Sequence, residues 1–288
     1  MTTPVLLRRI PIRGVRSRVR RLGVGGTVGW TLLILIVALA ILGPHLAPHA
    51  IDEPIGRPGL PPRPGAPLGT DFLGRDVLSR MLHGGGSLLS LAFAATALTY
   101  FIGVSLGMLA GYAKSFVDPL VMRTVDLLLS FPPLLVLLVL LGAAGTGTTV
   151  IIIGVIVVLT PGVIRVVRTA TLTVANRGYV EAAVARGEPT LAILRREILP
   201  SIVPVVVADL GIRFGASVIL VASLNYLGLG ARPPEASWAL MVAENRAVMS
   251  TNPWAVLAPG LLLGALTISV NLIGDAYVAN LGRSGDNS

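Results

Sequence analysis

Long apolar runs separated by short polar islands set the pattern of this chain. The runs extend from Val28 to Leu46, about Leu88 to Tyr112, Val125 to Leu141, Val150 to Val167, Ile202 to Leu224 and Val256 to Tyr277. Each is close to the roughly 20 residues that a helix needs to cross bilayer hydrocarbon. The pattern predicts an all-α membrane protein with six transmembrane helices. Within it, Ser130-Phe131-Pro132-Pro133 and Thr160-Pro161-Gly162 are expected to kink the third and fourth spans, because proline removes a backbone donor. Gly84-Gly85-Gly86 is expected to end a short helix before the second span begins. Pro48 to Pro67, rich in Pro and Gly, predicts an extended segment without regular structure.

Composition sharpens this picture. Of 288 residues, 53% are hydrophobic and only 13% charged, with a mean hydropathy of +0.81, which excludes an ordinary soluble domain. The net charge of +9 could point to nucleic acid, but the arginines cluster beside apolar runs, as membrane topology requires. Seven arginines and no acid precede residue 23. A cleaved signal peptide is the competing reading of this start, yet the apolar run is longer than such a core. Both termini are therefore expected in the cytoplasm. On that topology roughly 16 of the 23 Lys and Arg lie inside, about six lie outside and Arg213 stays within a span. The division is a basic tail at 1–27, a first span at 28–46, an external segment with an interfacial helix at 47–87, a five-helix core at 88–277 and a second cytoplasmic tail at 278–288.

Two polar stretches carry the functional signal. Glu181-Ala182-Ala183 is followed by Gly187, and nine residues on by Glu197 and Ile198-Leu199-Pro200. Ala182 to Ala185 favour helix, Gly187 can leave it with positive φ, and Pro189 fits the first turn of a second helix. Between the first two spans, Leu68 to Arg80 reads LGTDFLGRDVLSR. There Val77, Leu78, Met81 and Leu82 share a face that Arg75, Ser79 and Arg80 avoid, which predicts a helix lying at the outer interface. A third stretch, Leu224 to Gly230 with Pro233-Pro234 and Ser237-Trp238, follows the fifth span. Trp238 and Trp254 are expected in an interfacial belt.

The Glu181 stretch resembles the EAA loop of ABC-importer permeases. LGTDFLGRD and the NYLGLG…PP…SW segment are similar to motifs of the dipeptide and oligopeptide branch. The resemblance covers about Leu68 to Asp275 and implies the type I ABC-importer permease fold, in a multi-pass protein of the bacterial inner membrane. It also implies that the loop, about 178–200, docks an ATPase through Glu181, Ala182, Ala183, Gly187, Leu199 and Pro200. Gly69, Asp71, Gly74, Arg75, Asp76, Gly228, Gly230 and Trp238 would form the external face. The partners implied are a homologous second permease, one or two ABC ATPases, an extracytoplasmic substrate-binding protein and membrane lipid, with no nucleic acid. No cofactor is expected in this chain, with ATP and Mg bound by the ATPases. The substrates implied are di- or oligopeptides, with nickel, haem or short sugars as alternatives in the same family. Two departures stand out, Glu197 where many relatives have His and Val221 where an acid is often found.

Other chemistry is weakly supported. A near miss to a P-loop, with Gly107 and Gly111 before Lys114-Ser115, has Ala113 where glycine must stand. No cysteine is present, and His45, His49 and His83 all fall at or beyond the outer boundary, without metal-ligand spacing. No enzyme is expected. A secondary transporter is the rival class, since Asp209 and Arg213 lie four apart within a span, where such proteins place ionisable groups. An unpaired charge there costs roughly 2.5 to 3.5 kcal/mol, so both should face protein or water. A self-satisfied pair snorkelling toward the inner surface and a pair lining the translocation path or gate are both open from sequence.

Overall fold

The computed structural model describes residues 23–113, 116–230 and 235–285 of the chain. The basic tail before residue 23, Lys114-Ser115, and Arg232 with Pro233-Pro234 lie outside the described residues. Ten α-helices account for most of what is described, and no strand forms there, only isolated bridges such as Thr70 to Asp76.

The first helix, α1 (Gly23–Leu46), is a single apolar span. The second, α2 (Val77–Tyr112), has 36 residues and passes through Gly84-Gly85-Gly86 without a break. This corrects the expected break and separate interfacial helix. The glycines leave room for a side chain: a Cβ on Gly85 would lie 2.6 Å from the Trp238 indole, and one on Gly84 2.8 Å from it. Tertiary packing offsets their low helix propensity.

Helices α3 (Val117–Leu129) and α4 (Pro133–Ala144) meet at 90°. The expected kink is a complete break, with Pro132 in an extended conformation before α4. Then α5 (Thr148–Ala175) runs as one helix through Pro161. After the short helices α6 (Gly178–Ala185) and α7 (Thr190–Ile193), a π-helical turn at Leu194–Ile198 leads directly into α8 (Leu199–Tyr226). The expected boundary near Ile202 is absent, and Thr190 to Tyr226 forms one continuous rod. A short α9 (Trp238–Glu244), one 3₁₀ turn (Asn245–Val248) and α10 (Trp254–Gly285) complete the chain.

Packing fixes the number of crossings. Asn252 Nδ2 donates to the Leu68 and Thr70 carbonyls at 2.9 and 3.0 Å, and the Phe72 amide to Asn245 Oδ1 at 2.9 Å. Residues 47–76, 227–230 and 235–253 therefore lie on one face of the bundle. An even number of crossings must separate them, and α2, α5 and α8 supply three, so α3 and α4 together make the fourth. The pair's contacts agree, since Asp118 meets Arg168 near one end of α5 while Leu137 lies under Gly154 toward the other. With α1 and α10 the total is six, as the apolar pattern predicts.

The tightest helix pair is α2 with α5. Gly103, Gly107 and Gly111, four apart, let Val163, Val167 and Thr171 approach so closely that a Cβ on any of the three would sit 2.7 Å from them. The matched numbering shows that the two helices run parallel, through a small-residue stripe of the kind membrane helices use to pack. The glycines that mimic part of a P-loop are packing residues.

Candidate functional site

On the face opposite residues 47–76, the chain forms a compact corner. Helix α6 ends in a Schellman motif: the Glu188 amide donates to the Ala183 carbonyl at 3.2 Å and the Gly187 amide to that of Val184 at 2.9 Å. This requires the left-handed region, and Gly187 has φ of +75°. Arg186 bridges the corner to Glu188 at 2.6 Å. Pro189 caps the next helix from just outside, one residue earlier than a first-turn position, and α7 is a single turn.

The corner is anchored from below. Val180, Ala183, Ile193, Leu194 and Ile198 are buried against Val163, Val167 and Val174 of α5. Tyr179 and Ser201 hydroxyls lie 2.9 Å apart, tying α6 to the start of α8. The opposite surface is open: Glu181, Ala182, Ala185 and Gly187 are exposed, as are Val184 at 53% and Leu191 at 64%. Of the other residues singled out in this loop, Pro200 is exposed, Leu199 half-buried and Ala183 fully buried. The arrangement presents small apolar side chains beside a carboxylate on a rigid, glycine-cornered platform.

The far face is closed by a buried ionic network. Asp71 accepts from Arg75 Nε and Arg80 Nη1, each at 2.7 Å, and from the Leu73 and Arg75 amides at 2.8 Å. Arg80 Nη2 also reaches Glu244 at 3.4 Å. Burial raises the Glu244 carboxyl above its ordinary range, with Arg75 opposing the rise and Asp71 adding to it. Asp76 caps α2, accepting from the Ser79 amide at 2.9 Å and its hydroxyl at 2.6 Å. Gly69 and Gly74, both at positive φ, fold this motif back against Leu60 and Gly56. Arg80, Ser79 and Val77 are all fully buried. The polar side of this helix thus faces Asp71 of the preceding loop and Glu244 at the end of α9, which is why the expected interfacial placement fails.

Trp238 likewise leaves the expected interfacial belt. It is fully buried, donating from Nε1 to the Met81 carbonyl at 2.8 Å, whereas Trp254 is 44% exposed. Asn225 Nδ2 donates to Ser237 Oγ at 2.8 Å, and Gly230 packs on Asn225, with Gly228 turning the chain at φ of +74°.

At mid-depth, Asp209 and Arg213 do pair, at 3.4 Å. Their side chains are 12% and 25% exposed, facing other helices. Tyr100 of α2 donates to Asp209 Oδ2 at 2.7 Å, and the Arg213 guanidinium lies against Gly162 of α5. Tyr100 is 109 residues from Asp209, and its polar tip, one of several polar groups on α2, does not single it out in the sequence. Among the described residues no cluster of His, Asp and Glu could hold a metal.

Comparison with known proteins places this geometry. Residues 103–284 match the family described as binding-protein-dependent transport system inner membrane component. The chain is 32% identical to the di/tripeptide transport system permease protein DppC of Pseudomonas aeruginosa, over 87% of this chain and 85% of that one. It is 34% identical to the glutathione transport system permease protein GsiD of Pectobacterium atrosepticum, over 93% and 89%. In fold it is similar to a chain of the MetNI methionine ABC transporter in inward-facing conformations, with TM-score 0.56 and 19% identity over 70% of this chain and 96% of that one.

Proposed function

The chain belongs to the family of binding-protein-dependent transport system inner membrane components, and on that premise we propose that it is the permease subunit of an ATP-driven ABC importer of short peptides. It is a multi-pass membrane protein with the type I importer permease fold. The substrate class follows the relatives named for di/tripeptide and glutathione transport. Nickel, haem and sugars, and ion-driven secondary transport, are not favoured.

The observation that carries the mechanism is the open surface of the Glu181–Leu191 corner. A helix of small exposed residues, Ala182, Val184 and Ala185, beside Leu191, suits docking on a second protein. We assign that partner as an ATPase subunit binding ATP and Mg, so that this chain itself is no enzyme. Glu181, Ala182, Ala183, Gly187, Leu199 and Pro200 then form the coupling element. Because α7, the π turn and α8 are continuous, displacement of the corner moves a rod that crosses the membrane. The corner, the termini and tails 1–27 and 278–288 lie in the cytoplasm on this reading. Residues 47–76, 227–230 and 235–253 face the other side, where a substrate-binding protein delivers peptide. Asp71, Arg75, Asp76, Gly69, Gly74, Gly228, Gly230 and Trp238 act as the framework of that outer cap. A homologous second permease completes the path. Five of the six crossings, within 88–277, form its core, with the first at 28–46.

The reading is tested by purifying the chain with the proteins co-expressed from its own gene cluster and measuring ATP-dependent uptake of labelled dipeptide in proteoliposomes. Uptake driven by an ion gradient without ATP would overturn it.

A further inference from the structure

Two apolar clusters fill the space between α2, α5 and α8, apart from a smaller third one of Val77, Met241 and Ala255. One apolar cluster contains Leu88, Ala92 and Ala95 of α2, Ile151, Val155 and Leu159 of α5, and Val218, Val221 and Leu224 of α8. The other contains Tyr100, then Val163 and Val167 of α5, and Ile193, Leu194, Ile198 and Ile202 of the coupling corner and α8. Between them lies a polar stratum drawn from the same three helices: Thr96, Thr99 and the Tyr100 hydroxyl, Thr160 and Gly162, Asp209 and Arg213. Thr99 Oγ1 and Thr160 Oγ1 are buried there with no hydrogen-bond partner among the described residues. Such orphaned hydroxyls are costly and demand an explanation.

Position matters as much as polarity. Ile202, Val206, Asp209, Arg213, Ser217, Leu220 and Leu224 follow each other at intervals of three and four along α8, so the pair sits on the stripe turned toward α2 and α5. The close glycine packing of α2 on α5 makes those two helices a fixed pair. α8 rests on it through apolar contacts above and below, and through polar contacts at the stratum. Those are the 2.7 Å bond from Tyr100, the guanidinium laid on Gly162, and Ser217 Oγ donating to the Ala92 carbonyl at 3.1 Å. Apolar contacts slide with little directional preference, whereas a charge-assisted hydrogen bond has one geometry.

We infer that Tyr100 is a positioning residue of the transport step: through Asp209 it holds Arg213 against α5 and latches the coupling rod at the angle seen here, and the latch opens when the corner is displaced. The inference rests on the permease reading. In the latched state Asp209 has two partners at once. Tilting α8 separates it from Tyr100 and leaves the Asp209 and Arg213 pair, four residues apart on one helix, to travel together. The orphaned Thr99 and Thr160 hydroxyls become alternative partners within the stratum, so the unlatched state does not strand a polar group in hydrocarbon.

The test is the tagged complex in nanodiscs with Tyr100→Phe, which removes one hydroxyl. Basal ATP hydrolysis, peptide imported per ATP in proteoliposomes, and melting temperature are measured together. Losing one bond to a charged acceptor shifts the latched-to-open ratio about tenfold, so basal hydrolysis should rise several-fold while peptide per ATP falls and melting changes little. Asp209→Asn, which keeps an acceptor but not the charge, should move both rates the same way. A Tyr100→Phe complex with unchanged basal hydrolysis and unchanged peptide per ATP would overturn the latch. So would a lowered melting temperature with both rates intact, which marks a structural contact only. Loss of import with basal hydrolysis unaltered in Arg213→Gln would place Arg213 in the path and also overturn it. A wild-type complex that hydrolyses ATP without moving peptide overturns the substrate reading instead, and the basal comparison, made without peptide, still decides the latch.

Discussion

Asp71 and Arg80 meet at 2.7 Å with neither side chain exposed to solvent. One belongs to the loop before α2 and the other to its first turn, so the bond fixes how residues 68–76 sit on that helix. Taking such charges out of water is expensive, and removing one leaves the other uncompensated. Asp71→Ala leaves Arg75 and Arg80 with only their longer contacts to Glu244, and should cost about 3 to 5 kcal/mol. Arg80→Met with Asp71→Leu removes both partners and should recover part of that loss. Thermal unfolding of the detergent-purified chain separates the two. A single mutant as stable as the wild type would show that the network contributes nothing to folding.

Trp238 packs on the two glycines that sequence reasoning treats as helix breakers. Truncating a buried Trp costs about 3 to 5 kcal/mol, and a leucine at residue 85 must displace the indole outright. Trp238→Ala and Gly85→Leu should each lower folded yield, while Gly86→Ala, where a Cβ meets only the Ala40 carbonyl at 3.7 Å, should not. Equal yields for all three would remove the packing explanation of the glycine run.

The length of the apolar runs made the crossings legible, because length and hydropathy alone decide whether a helix spans. The corner at Gly187 was legible too, since only glycine takes that conformation cheaply. What failed was contact across the sequence. Arg75 and Arg80 look solvent-seeking until Asp71 and Glu244 are brought to them, and Trp238 looks like an interfacial anchor until Gly84 and Gly85 open a slot. Pro132-Pro133 announced a disturbance but not its 90° size, which depends on how α3 crosses the end of α5. Tyr100 could not be paired with Asp209 because the periodicity of one span carries no register signal toward a distant one.

Sidedness has a direct measurement, since the chain has no cysteine of its own. Single cysteines at Thr251 and Arg186 occupy exposed positions on opposite faces of the bundle. An impermeant thiol reagent applied to intact cells should label Thr251→Cys and spare Arg186→Cys until the membrane is opened. The arginine excess around the corner is the reason to expect this order. Reversed labelling would put the corner outside the cell and remove it from any ATPase.

Gly187 offers the sharpest separation of structure from coupling. A Cβ there meets nothing within 4 Å, so no clash accompanies substitution and only the left-handed backbone resists it. Gly187→Val should cost about 1 to 3 kcal/mol locally, which the corner can relieve by giving up the Schellman bonds from Glu188 and Gly187. The spans, packed elsewhere, should remain folded. Gly187→Asn, which tolerates this conformation better than valine does, should fall between. Co-purification of the ATPase and uptake per folded complex are the readouts, with melting temperature as the control. Graded loss in the order glycine, asparagine, valine at constant melting temperature would tie coupling to the φ of one residue. Full uptake by the valine variant would mean that the ATPase grips the corner by its side chains and is indifferent to how the backbone turns.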